Sequence, residues 1–165
     1  MKKIIAILAL AFFPLVSLAA VNIDKRSDGA TLTTSRNTYQ VGATVNIFEK
    51  ITGDVYAAGS NVSVTGDVGQ DVVAAGGNLN FTSKIAGDLR AAGGSLNVSG
   101  PVDGDLIFLG GQLNIIPSAV IKGDFIVAGG SVNIGGSMNG NGKIFADEVY
   151  VSGTLNKDAD IEATR

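Results

Sequence analysis

Five aspartates recur along the chain at nearly fixed intervals, and they have the most obvious potential for chemistry. Such a row of carboxylates could bind calcium, or two of them could act as acid and base in polysaccharide cleavage. No copy matches the calcium-binding nonapeptide pattern. Aspartates at turns also commonly accept hydrogen bonds from backbone N–H groups of their own turn, and we favour this structural interpretation. This aspartate ladder consists of Asp54, Asp71, Asp88, Asp105 and Asp124.

A second set of regularly spaced polar residues consists of asparagines. Each lies between two apolar residues of an alternating segment, so its side chain should point outward when the apolar ones point inward. Stacked amides can hydrogen-bond along a column, and a flat amide face could also bind sugar. We favour structural stabilisation over sugar binding. This asparagine ladder consists of Asn46, Asn80, Asn97, Asn114 and Asn133.

The composition excludes several kinds of site. The chain has no histidine, cysteine or tryptophan, which removes Cys/His metal centres and histidine-based catalysis. No phosphate-cradling P-loop is present, and the basic cluster that a uronate lyase needs is missing. With 12 basic and 15 acidic residues, the chain shows no electrostatic footprint for nucleic acid. We therefore expect a protein that is not an enzyme, with no catalytic residues, cofactor, metal or nucleotide.

The ladders belong to a repeat of seventeen residues. Residues 53–69 read GDVYAAGSNVSVTGDVG, 70–86 read QDVVAAGGNLNFTSKIA, and 87–103 read GDLRAAGGSLNVSGPVD. The repeat continues through 104–122 with a two-residue insertion and returns to seventeen residues in 123–139. It is less regular in 36–52 and 140–156. A short fixed period predicts a solenoid, because each unit can bury its apolar face only against its neighbours.

Alternating apolar residues within each copy predict short strands. In the first full copy the pairs are Val55 with Ala57 and Val62 with Val64, followed by the single Val68. The alternating runs are too short for helices, and Gly-Asp or Gly-Gly marks each corner. Three short strands and three corners per copy predict an all-β fold, a parallel β-helix of about seven triangular coils. Leu79, Phe81, Leu96, Leu113, Phe125 and Val132 should point inward.

The Gly-Asp and Gly-Gly corners, the Val/Leu-Asn-Val/Ile strands and the seventeen-residue coil resemble the bactofilins, a family of polymer-forming bacterial cytoskeletal proteins. The resemblance covers about residues 36–160. It implies a right-handed β-helix that assembles without nucleotide into filaments and acts as a scaffold near the membrane. Familiar members are cytoplasmic, whereas this chain begins with the features of an export signal.

The export signal divides the chain into three parts. Lys2 and Lys3 precede an apolar stretch from Ile4 to Val16, and Ser17 and Ala19 are small residues at the two positions that a signal peptidase reads. We expect residues 1–19 to be a signal peptide, 20–35 an N-terminal extension or cap, and 36–165 the β-helix domain. The protein should then be exported to the periplasm, cell envelope or extracellular space, with an uncleaved membrane anchor as the competing interpretation.

The first strand of each copy is apolar on its outward side as well. A strand that is apolar on both sides belongs to a sheet covered on both sides. Residues 21–35, a second chain or a membrane surface could supply the cover, and a second chain is the interpretation that we favour. We expect a self-associating scaffold of the cell envelope, and the alternative is a module that binds cell-wall or extracellular polysaccharide. The predicted self-association strip, here called the outer strip, consists of Tyr56, Val73, Ile107, Leu109, Ile126 and Phe145.

Overall fold

A computed structural model describes residues 22–26, 29–34 and 36–165, and within them the chain is all β with no helix. The predicted signal peptide, with the question of cleavage or anchoring, lies outside the described residues. The part that is described forms a β-solenoid of about 7 turns, with coils about 17 residues apart. The predicted fold class is therefore confirmed.

Each full coil contributes one long strand and, in the later coils, one short strand. The long strands are β3 (Thr38–Ile47), β4 (Val55–Val64), β5 (Val72–Phe81), β6 (Leu89–Val98), β7 (Leu106–Ile115), β9 (Phe125–Ile134) and β11 (Gly142–Val151). The short ones are β8 (Val120–Ile121), β10 (Ser137–Met138) and β12 (Thr154–Leu155). The chain begins with β1 (Asn22–Arg26) and β2 (Gly29–Thr33), and it ends with β13 (Ala159–Ala163).

The seven long strands stack in chain order, with β1 and β2 at one end and β13 at the other, into a sheet of 10 strands. From β3 onward the pairing is parallel and in register, so each residue lies beside its counterpart one coil later. The short strands form a second sheet of 3 strands, β12-β10-β8. Isolated bridges extend this short side toward the N-terminus from Ile121 through Val102, Ile85 and Val68 to Ile51.

The structure differs from the three short strands that the sequence predicts for each coil. The first two are joined into one ten-residue strand that continues through the glycine at the predicted corner. Gly59 pairs with Gly76 and Asn61 with Asn78, so the backbone ladder is kept on both sides of the corner. A Cβ at Gly76 would overlap the carbonyl oxygen of Gly59, which explains why this position carries no side chain.

The core is a column of apolar layers inside the coils. The six residues predicted to point inward are all buried, with exposures of 0% or 1%. Neighbouring coils adjust to one another in size, because a Cβ at Gly142 would overlap the ring of Phe125 one coil earlier. The less regular last copy has glycine at this position, and the large ring of Phe125 occupies the space that a side chain would fill.

The N-terminal extension adds strands to the end of the solenoid. β1 and β2 form an antiparallel hairpin, and β2 pairs antiparallel with the first half of β3, with Leu32 beside Tyr39. The described part of the extension therefore continues the sheet at one end and does not lie across the outward side of the later coils. The described residues of the extension leave the outer strip of the later coils uncovered.

Candidate functional site

The outer strip is formed by two columns of side chains on the first half of the long strands. Strand register places Tyr56, Val73, Ile107 and Ile126 in one column, and Leu109 and Phe145 in the other. Alternation explains the arrangement, since residues two apart on a strand point to the same side. The structure thus places all six predicted residues on one face of the solenoid.

The outer strip is accessible to solvent along its length. Leu109, Ile126 and Phe145 are exposed by 48%, 52% and 38%, and the other three side chains are half-buried against their neighbours. Four alanines fill most of the second column between the bulky residues. These are Ala58, Ala75, Ala92 and Ala128.

The strip extends one coil further toward the N-terminus than the sequence indicated. Tyr39 pairs in register with Tyr56, and Val41, which is 59% exposed, pairs with Ala58. The two tyrosine rings are stacked with centroids 4.6 Å apart and planes 5° from parallel. Counting seventeen residues back from Tyr56 would have identified Tyr39, but the first coil is too worn for its apolar pattern to stand out.

A carboxylate lies at the edge of the tyrosine stack. The Tyr56 hydroxyl donates a hydrogen bond of 3.4 Å to Asp54 Oδ2, and Asn37 Nδ2 donates to the same oxygen at 3.2 Å. Burial, and then the negative charge of Asp54, raise the pKa of Tyr56 to about 12. The Tyr56 phenol therefore remains neutral, and it adds no charge to this end of the strip.

Arg90 interrupts the first column, but its charge is balanced within the chain. Its guanidinium group lies 3.0 Å from Asp71 Oδ2 and also contacts Asp88 Oδ2. The position is thus occupied by a paired cation, which is less costly to cover than a free one. Toward the C-terminal end, Lys143 has its ammonium group 5.1 Å from the centre of the Phe145 ring and 3.2 Å from Asp160 Oδ2.

The aspartate ladder joins successive coils. Asp88 N donates to Asp71 Oδ1 at 2.9 Å, Asp105 N to Asp88 Oδ1 at 2.8 Å, and Asp124 N to Asp105 Oδ1 at 2.8 Å. Each carboxylate therefore accepts a hydrogen bond from a backbone N–H of the next coil. The sequence-based prediction of a bond within the same turn is wrong. Within the described ranges, no group of three or more His, Cys, Asp or Glu side chains is placed to hold a metal ion.

The asparagine ladder lies on the second half of the long strands, beyond the glycine corner. At the step between Asn97 and Asn114, the amide of Asn114 donates to Asn97 Oδ1 at 3.0 Å. A parallel column carries the same kind of bond, from Asn78 to Asn61 Oδ1 at 2.9 Å. This second face is polar throughout its middle coils, in contrast to the outer strip.

The short side of the coils carries an ion-pair group. Asp103 forms ion pairs with two lysines, one through each carboxylate oxygen. Lys84 Nζ lies 2.8 Å from Oδ2, and Lys122 Nζ lies 2.7 Å from Oδ1. Lys122, and then Lys84, lower the pKa of Asp103 below its usual value. The group links neighbouring coils of the solenoid and lies away from the outer strip.

The part of the chain that the structure describes contains no helix with the length and apolarity to cross a membrane. No protein-family model, curated protein or solved structure matches this chain.

Proposed function

We propose that the protein is a non-catalytic, self-associating scaffold of the cell envelope, similar in kind to the bactofilins. The observation that carries the proposal is the outer strip, an apolar face that runs along the solenoid and is left open by the described residues of the N-terminal extension. The largest contiguous apolar patch on a soluble protein is often a functional surface.

The regular core supports a mechanical role. Parallel coils in register give a stiff rod whose outward positions repeat at each strand spacing of about 4.8 Å. A rod of this kind can present the same apolar residues at several heights, so contacts between rods can be repeated along their length. The location in the envelope is inferred from the predicted signal peptide.

A second candidate function is glycan binding, and the polar second face favours it. Outward amides at Asn61, Asn78, Asn97 and Asn114 form a flat surface of hydrogen-bonding groups. In this case the protein would bind cell-wall or extracellular polysaccharide as a monomer. The two candidates differ in which face is used.

Sedimentation velocity of the purified protein over a wide concentration range, with and without soluble peptidoglycan fragments, tests the proposal. A scaffold should form larger species as the protein concentration rises, with or without glycan. A protein that stays monomeric throughout and shifts only when glycan is added would overturn the proposal in favour of the binding module.

A further inference from the structure

The two columns of the outer strip differ in shape between the two halves of the molecule. In the second column, the N-terminal half presents the small residues Ala58, Ala75 and Ala92 after Val41, whereas the C-terminal half presents the bulky Leu109 and Phe145 on either side of Ala128. One half is therefore a shallow groove and the other carries projections at intervals of whole coils. A second copy in the opposite direction would bring projections into grooves at both ends.

We propose that two copies pack through their outer strips with antiparallel solenoid axes, β4 opposite β11, β5 opposite β9 and β6 opposite β7. This arrangement rests on the proposed self-association and specifies its geometry. The twofold axis lies along the strand direction, so each column faces the same column of the partner. Phe145 then meets Ala58 of the second copy, and Leu109 meets Ala92.

The first column is complementary in the same register. Val73 lies opposite Ile126 of the second copy, and Arg90, already paired with two aspartates, lies opposite Ile107. Lys143 comes opposite Tyr56, whose hydroxyl is bonded to Asp54, so a cation meets an aromatic ring beside a carboxylate. The Val73–Ile126 contacts are thus apolar, while a charged residue held in its own ion pairs, Arg90, lies beside the twofold axis and Lys143 lies toward each end.

Neighbouring registers and the parallel arrangement are less favourable. Sliding the two copies by one coil places either Arg90 opposite Arg90 or Leu109 opposite Leu109. If the solenoid axes were parallel, the first column of each copy would face the second column of the other copy at the same height. Asp160 would then face Glu162 at two symmetry-related places, and Ile107 would face Leu109. Like charges directly opposite one another destabilise a contact, and facing bulky residues hold the two sheets apart.

The size of the face sets the strength of the contact. Two columns across the six paired strands, with coils about 4.8 Å apart, give a face of roughly 10 by 29 Å, or roughly 290 Å² per chain. This is below the roughly 800 Å² per partner of a standard stable interface, so the dimer should be weak and visible only at high protein concentration.

Spin-label distances test the direction of packing. The chain has no cysteine, so Asn61→Cys on β4 and Gln112→Cys on β7 each introduce a single label on the second face, outside the contact. Antiparallel packing places the two Asn61 positions about 24 Å apart along the axis and the two Gln112 positions about 5 Å apart. The distance between labels should therefore be longer for Asn61→Cys. Equal distances would overturn the antiparallel arrangement and leave self-association standing.

A size exchange tests the register. Phe145→Ala alone and Ala58→Leu alone should each weaken the dimer about tenfold, the first by leaving a gap and the second by a clash. The double variant should recover to within about threefold of the unaltered protein. The two positions lie five strands apart in one chain, so recovery cannot arise within a monomer. A double variant weaker than either single variant overturns the register, and an unaltered protein that is monomeric at millimolar concentration overturns both this inference and the proposed function.

Discussion

The backbone N–H of Asp105 donates a hydrogen bond of 2.8 Å to the carboxylate of Asp88, one coil earlier in the solenoid. The same relationship recurs at the neighbouring steps of the aspartate ladder. Each carboxylate therefore holds the start of the next coil in place. The aspartates therefore form a structural seam between the coils.

Loss of one carboxylate from this seam should measurably weaken the fold. Asp105→Ala removes the acceptor of the Asp124 N–H and should lower the free energy of unfolding by about 1 kcal/mol, since the site is open to water. Asp105→Asn keeps an oxygen in place and serves as the control, with a smaller loss. Urea unfolding measures both, and an equal loss in the two variants would contradict the seam.

A glycine precedes four of the five ladder aspartates, with Gln70 before Asp71 as the exception, and at Gly104 a side chain should be poorly tolerated. A Cβ at Gly104 would overlap Asp88 Oδ1 and the backbone of Gly87, so Gly104→Ala should destabilise the protein by about 1–3 kcal/mol. Gly129→Ala is the control, because the nearest atom to a Cβ there is a carbonyl oxygen at 3.3 Å. Thermal unfolding of the two variants should separate them clearly. Similar melting temperatures would mean that the corner relaxes.

The alternation of inward and outward residues predicts opposite outcomes for adjacent positions. Leu96 is fully buried, and Leu96→Ala should cost about 2–5 kcal/mol of unfolding free energy. Asn97→Ala removes an outward acceptor of one amide hydrogen bond and should cost at most about 1 kcal/mol. Denaturant unfolding checks both values. A larger loss of unfolding free energy at Asn97 than at Leu96 would contradict the assignment of Leu96 to the core and of Asn97 to the surface.

Alkaline pH should weaken the fold through Tyr56. Its pKa is raised from 10.0 to about 12 in the folded protein, so between these values the unfolded chain has lost a proton that the folded chain retains. The stabilisation from this phenol is therefore complete below pH 10 and is lost as the pH rises toward 12. Tyr56→Phe should show a flatter decline in stability over this range. An identical decline in both proteins would assign the alkaline effect to other groups.

The inward residues and the outer strip could be predicted because a period of two fixes which side each residue takes once the strand is identified. Other features needed coordinates. The joining of two strands through Gly59 depends on the backbone ladder continuing around a corner, which residue types do not specify. The bond from Asp105 to Asp88 depends on the distance between coils, and the sequence alone could not separate it from a bond within one turn.

The most direct test of self-association through the outer strip is sedimentation velocity of two matched double variants. Ile107→Lys with Ile126→Lys places two cations in the strip, and Gln112→Lys with Ser131→Lys places them on the polar face of the same two strands. We expect the first pair to abolish association and the second to leave it unchanged, while circular dichroism shows the same β content in both. Association that survives in the first pair, or is lost equally in both, would contradict the proposal.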